Sequence, residues 1–86
     1  VLECVPQHLG RQITQSLDIP TIGIGAGSYT DGQVLVLQDM LGMQPNFKPK
    51  FLRHYLDGHR QLSDAVNAFH HDVGKGAFPN CEEVYR

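Results

Sequence analysis

Apolar positions in this chain change their period along its length. Val1, Leu2 and Val5 form a short apolar run broken by Glu3, the pattern of a buried strand. Pro6 follows, a residue tolerated in the first turn of a helix because the N–H it lacks would have no partner there. From Val5 the apolar residues recur every fourth position, at Leu9, Ile13 and Leu17, with His8, Arg11, Gln12 and Gln15 between them. That spacing predicts a helix of about three turns with one buried stripe. Gly10 weakens it by about 1 kcal/mol relative to alanine, and Asp18 and Pro20 end it. Residues 21–24 read as a second strand, and Gly25-Ala26-Gly27-Ser28 as the turn after it. A strand, a helix and a strand joined by short loops make a crossover unit, so the two strands are expected to be parallel with a right-handed connection.

Beyond that unit the pattern is less regular. "YTDGQ" carries turn chemistry around Asp31-Gly32. Residues 34–42, "VLVLQDMLG", alternate at first and then place Met40 and Leu41 side by side, which reads as a short helix. Residues 43–50 contain Pro45 and Pro49 and form a loop. Residues 51–56 are expected to start another helix that stops or kinks at Gly58. Leu62, Ala65, Val66, Phe69 and Val73 give a clear helical stripe. Gly74 and Gly76 end that helix, and the last ten or so residues are irregular. No internal repeat is visible.

Composition narrows the class. The chain has 86 residues, 41% of them apolar and 19% charged, with a formal net charge of -2. That is enough for one small globular unit, and it lacks the basic field of a nucleic-acid binder. No apolar run approaches the ~20 residues of a membrane span. Cys4 and Cys81 form no CxxC pair and read as buried or idle thiols in a reducing compartment. The chain opens on Val1, inside an apolar strand, and is expected to be cut from a longer one. Two parallel strands with open edges make a poor self-contained fold, since parallel sheets are covered on both faces. A (β/α)8 barrel takes about 250 residues, in units of about 30. The expected architecture is therefore α/β: a C-terminal fragment of a (β/α)8 TIM-type barrel, with the last two βα units in residues 1–42 and a C-terminal helical extension in 43–86.

Such barrels place their chemistry at the carboxyl ends of the strands. Glu3 stands there, and a carboxylate in an apolar strand end is costly unless hydrated, paired or used. It is either a general base or a solvent-facing glutamate on a frayed start. Gly25, Ala26 and Gly27 occupy the equivalent end of the next strand, where glycine lets a ligand approach backbone N–H groups. A tight turn that binds nothing has the same pattern. Asp31 and Asp39 are candidates for metal or substrate, or a turn aspartate and a solvated helix aspartate. His70 and His71 point about 100° apart on a helix, and His54 and His59 have the wrong spacing for a helical metal pair. Lys48 and Lys50 flank Pro49 in a loop and are expected to be solvated.

The words themselves carry a resemblance. "VLECVP", "IPTIGIGAG", "DGQVLVLQDMLG" and "PKF", in this order and spacing through Phe78-Pro79, resemble the C-terminal part of the ketopantoate hydroxymethyltransferase family. The resemblance implies a (β/α)8 barrel of the phosphoenolpyruvate/pyruvate superfamily type. It implies transfer of a one-carbon unit from 5,10-methylenetetrahydrofolate to the 2-oxo acid 3-methyl-2-oxobutanoate, giving 2-dehydropantoate for pantothenate synthesis. It also implies a magnesium ion whose ligands lie on earlier strands, with no metal ligand in this segment. A homo-oligomer, commonly a decamer, is implied as well, with the C-terminal helices in its contacts. A bacterial-type cytoplasmic location is the matching expectation, with neither nucleic acid nor membrane as partner. The proton acceptor of the "LECVP" motif falls on Glu3. Gly25, Ala26 and Gly27 would close the barrel mouth beside it, so a bulky residue at Ala26 is expected to harm turnover more than thermal stability. Gln38 and Glu82-Glu83-Val84-Tyr85 depart from the family's histidine-bearing words. A related barrel lyase on another 2-oxo acid, or a non-catalytic truncated product or C-terminal oligomerisation element, are the alternatives. The chain alone is expected to be inactive and not stably folded.

Overall fold

In the computed structural model, which describes residues 1–86, three strands run in parallel in the order β1-β2-β3. β1 is Leu2–Glu3, β2 is Ile22–Ile24 and β3 is Gly32–Gln33. The helix α1, Gln7–Ser16, crosses from β1 to β2 as the four-residue spacing predicts. Pro6 sits one position before the first helical residue and its carbonyl accepts the N–H of Gly10 at 3.0 Å. The helices α2, Leu37–Met40, and α3, Gly58–Gly74, follow.

Register fixes which residues share a face. Leu2 pairs with Gly23 and Gly23 with Gln33, while Glu3 pairs with Ile24 and Ile22 with Gly32. Alternation along each strand then puts Thr21 with Leu2, Gly23 and Gln33, and puts Glu3 with Ile22 and Ile24 on the other side. α1 covers the first of these faces, because Thr14 and Thr21 join hydroxyls at 2.9 Å. Gly10 belongs to this contact. A Cβ there would lie 2.6 Å from the Ala26 carbonyl oxygen, so the intrinsic helix weakness at Gly10 is offset by close packing that no other residue allows.

Three expectations need correction. β3 was hidden by its turn chemistry. The Asp31 carboxylate accepts hydrogen bonds from the Thr21 N–H at 2.8 Å and the Thr21 hydroxyl at 3.2 Å, which draws the chain alongside β2. The ladder then forms through Gly32 N–H to Thr21 O and Val34 N–H to Gly23 O. The sheet thus has three strands rather than two, and residues 34–36 stay extended before α2 begins. Residues 51–56 are irregular, not helical. Their backbone is claimed from outside: Tyr55 N–H donates to Met40 O at 2.7 Å and Gly58 N–H to Leu41 O at 2.9 Å. Gly58 accordingly starts α3 instead of stopping a helix. Asp57 before it gives no side-chain cap and pairs with Arg60 at 2.8 Å.

The core is small. Seven of 86 residues are buried, and Ala26 is the one buried hydrophobic among them. The radius of gyration is 21.4 Å, against roughly 12 Å for a compact unit of this length. The extents of 67 × 29 × 13 Å describe a thin sheet-and-helix layer with α3 as an arm. The sheet face bearing Glu3, Ile22 and Ile24 has no covering layer within the chain. No helix is long and apolar enough to cross a membrane.

Candidate functional site

The carboxyl ends of β1 and β2 bring Glu3, Gly25, Ala26 and Gly27 to one edge. Glu3 ends β1, exposed, across from Ile24. Cys4 follows with φ of 53°, and its N–H donates to Ile24 O at 2.9 Å, so the chain leaves the sheet sharply straight after the carboxylate. Cys4 and Cys81 are both free and exposed.

The turn after β2 shows what its glycines accommodate. Gly25 and Gly27 have φ of 68° and 84°, which L side chains rarely adopt. Each also lacks a Cβ where other residues press in. On Gly25 a Cβ would sit 3.1 Å from Cγ of Phe51 and 3.4 Å from the Cys4 sulfur. On Gly27 it would sit 2.7 Å from Cγ of Gln7. Ala26 between them is 0% exposed, so its methyl is beyond reach of a ligand. A bulky residue at Ala26 would therefore strike packing within the chain, so a loss of stability is expected beside any effect on turnover.

Polar side chains that the sequence did not single out hold this turn. The Gln33 amide donates to Gly27 O at 2.8 Å and to the Thr30 hydroxyl at 3.0 Å. Thr30 in turn donates to Gly32 O at 2.9 Å. Thr21 and Thr30 are buried, and their hydroxyls are satisfied within the chain. The signal available beforehand was the density of Thr, Asp and Gln around two short strands, which is weak.

Above the turn lies an open groove of about 950 Å³, bounded by Cys4, Gln7, Ser28, Gln33, Lys50 and Phe51, with Gly25 and Gly27 at its floor. Segment 43–56 thereby returns to the strand ends, although it lies far from them in sequence. Asp31 is used structurally, on Thr21. Asp39 lies in the first turn of α2. His59, His70 and His71 are on α3, away from this edge. His54 has a buried Nε2 without a hydrogen-bond partner, beside Lys48 and Asp57 in a separate hollow. No three His, Cys, Asp or Glu side chains come together to hold a metal ion.

The fold and this edge define a class: a parallel α/β segment built from a βαβ crossover, with polar groups gathered at the carboxyl ends of its strands, where open and closed α/β proteins bind ligands. The family model for ketopantoate hydroxymethyltransferase matches residues 1–81, and the chain belongs to that family of transferases. Its relatives include proteins named 3-methyl-2-oxobutanoate hydroxymethyltransferase. One from Francisella tularensis subsp. tularensis is 56% identical over 85 residues, covering 99% of this chain and 32% of the relative. One from Bdellovibrio bacteriovorus is 58% identical with the same coverage. One from Idiomarina loihiensis is 51% identical over 86 residues, covering 100% of this chain and 32% of the relative. The chain thus spans about a third of the length of the curated relatives it matches.

Proposed function

We propose that this chain forms the C-terminal third of a (β/α)8 barrel, residues 1–42 supplying the last two βα units and 43–86 a helical extension. The barrel transfers a hydroxymethyl group from 5,10-methylenetetrahydrofolate to 3-methyl-2-oxobutanoate. One observation carries this reading: Glu3 stands at a strand's carboxyl end, on the sheet face that α1 leaves bare. That bare face, with Ile22 and Ile24 on it, suits a barrel interior completed by polypeptide outside this chain.

Glu3 acts there as general base. Its carboxylate takes the proton from C3 of the 2-oxo acid, and the C–H electron pair moves into the adjacent carbonyl to give an enolate. The enolate carbon then bonds to the folate's methylene carbon. That carbon breaks its bonds to the two folate nitrogens and takes a hydroxyl from water; one nitrogen takes the remaining water proton and the other the proton held by Glu3, which restores the carboxylate and releases tetrahydrofolate and 2-dehydropantoate. Magnesium would bind the 2-oxo acid and polarise its carbonyl. By family resemblance its ligands would lie on earlier strands outside this chain, and no step above is routed through it. Gly25 and Gly27 keep the rim beside Glu3 narrow. The stripe on α3 supports a homo-oligomer, a decamer by family resemblance, and the location is cytoplasmic by the same resemblance.

The test is a chimera in which this chain replaces the matching 85 residues of the Francisella tularensis relative. The chimera is expected to form 2-dehydropantoate, and the isolated chain to form none. A folded chimera without transferase activity would overturn the proposal.

A further inference from the structure

Glu3 is the last residue of β1, and the connection that follows it leans on the β2 turn. Cys4 turns the chain away at φ of 53°, and its sulfur packs over Gly25, 3.4 Å from where a Cβ would lie. Gln7, the first residue of α1, packs over Gly27, with its Cγ 2.7 Å from a Cβ position there. Both ends of the β1–α1 connection therefore rest on the same turn. A shift of that turn moves the connection, and with it the backbone that carries Glu3.

Two glycines with positive φ leave the turn intrinsically free, so its position has to be imposed by its neighbours. On one side α1 holds it: Gly10 admits the Ala26 carbonyl, and the Arg11 guanidinium lies 4.8 Å from the centre of the Tyr29 ring. On the other side β3 holds it through one residue. The Gln33 amide donates to Gly27 O at 2.8 Å and to the Thr30 hydroxyl at 3.0 Å. Residues 25–30 make no backbone–backbone hydrogen bond within the chain, so the bond from Gln33 is the one that reaches their main chain. Register puts Gln33 with Leu2 and Gly23 on the α1 side of the sheet, opposite the face of Glu3. From there it acts on Glu3 only through the turn.

We propose that Gln33 is a positioning residue for the proton transfer. Its two hydrogen bonds clamp the β2 turn against Cys4 and Gln7, and so hold Glu3 where its carboxylate meets C3 of the 2-oxo acid. The proposal rests on the reading of Glu3 as general base. Displacing a reacting group by about 1 Å costs up to about 100-fold in rate, so two hydrogen bonds of modest value to stability have a larger effect on the chemical step.

The experiment uses the full-length chimera and follows deuterium exchange at C3 of 3-methyl-2-oxobutanoate without folate. Varying the substrate concentration separates kcat from KM for that step. Gln33→Met keeps the length of the side chain and removes both donors. Thr14→Val is the control: it removes the Thr14–Thr21 hydroxyl pair in the same layer and leaves the bonds of Gln33 in place. Both variants are expected to lower the denaturation midpoint to a similar degree. Gln33→Met is expected to lower kcat for exchange about tenfold or more with KM unchanged, and Thr14→Val to keep the wild-type kcat. Should Gln33→Met fail to fold, Gln33→Asn, which is one methylene shorter and falls short of Gly27 O, decides by the same comparison. A wild-type kcat in the folded Gln33 variant, or an equal loss in Thr14→Val, would overturn the clamp and leave Glu3 standing as the base. A folded wild-type chimera that exchanges no deuterium would overturn the reading of Glu3 as base, and this proposal with it.

Discussion

Around the β2 turn the chain has few side chains and little free surface, whereas along α3 it has large apolar side chains and almost no cover. Ala26 is 0% exposed, while Leu62, Val66, Phe69 and Val73 are 52%, 65%, 55% and 49% exposed. At the turn, Gly10 and Gly27 admit Ala26 and Gln7 at distances a Cβ would forbid, and Gly25 admits Phe51 at one a Cβ would crowd. Beneath the turn that surface is complementary to the chain's own elements, and only its upper side, toward the groove, stays open. The α3 stripe has the spacing of a buried helix face; the Phe78 ring meets Phe69 edge to face at 5.3 Å, yet all four side chains stay about half exposed. Each of those four side chains forgoes about half of the ~1.5–3 kcal/mol that full burial brings. The contrast teaches that this sequence encodes two kinds of contact: one closed within 86 residues, the other left for a different surface. The bare sheet face under Glu3, Ile22 and Ile24 belongs to the second kind.

The comparison can be broken most severely by removing every outside surface. With one buried hydrophobic side chain, the isolated chain lacks the burial that offsets conformational entropy. It is expected to show no cooperative thermal transition by circular dichroism; a sharp, reversible melt would mean that the layer is self-sufficient. The next largest effect targets α3. In the chimera, Val66→Asp with Phe69→Asp is expected to reduce the assembly to smaller species in sedimentation velocity. An unaltered assembly would mean that another part of the protomer covers the stripe. At the closed end, Ala26→Leu overfills a packed site and is expected to cost about 1–3 kcal/mol of stability, seen as a lowered denaturation midpoint. A wild-type midpoint would show space at the turn. The smallest effect is expected at Arg60→Ala. Its ion pair with Asp57 is exposed, 69% and 54% by side chain, and its loss is expected to cost less than about 0.5 kcal/mol in the same measurement.

The sequence made legible those parts whose cause is local. α1 and α3 appear through their apolar spacing, and the parallel pairing of β1 with β2 follows from the crossover between them. β3 was illegible because it has two residues and its pairing depends on Asp31 reaching Thr21, ten positions away. Residues 51–56 misled because their helical composition loses to hydrogen bonds that Tyr55 N–H donates to Met40 O and, just beyond, Gly58 N–H donates to Leu41 O. At the site, the glycines announced a close approach but not its source. Phe51 lies far along the chain from Gly25, and no periodicity links them. Glu3 could be placed at a strand end from its neighbours alone. Its face could not, because that depends on the Leu2–Gly23 register and on which side α1 packs.

The central claim is that Glu3 takes a proton from the carbon beside the carbonyl of the bound 2-oxo acid. Deuterium exchange at C3 of 3-methyl-2-oxobutanoate, followed by proton NMR in heavy water with the chimera and no folate, isolates that step. The expected result is exchange by the wild-type chimera and a loss of about 100-fold or more in Glu3→Gln, with circular dichroism showing that both proteins are folded. Equal exchange rates in the two proteins would contradict the account.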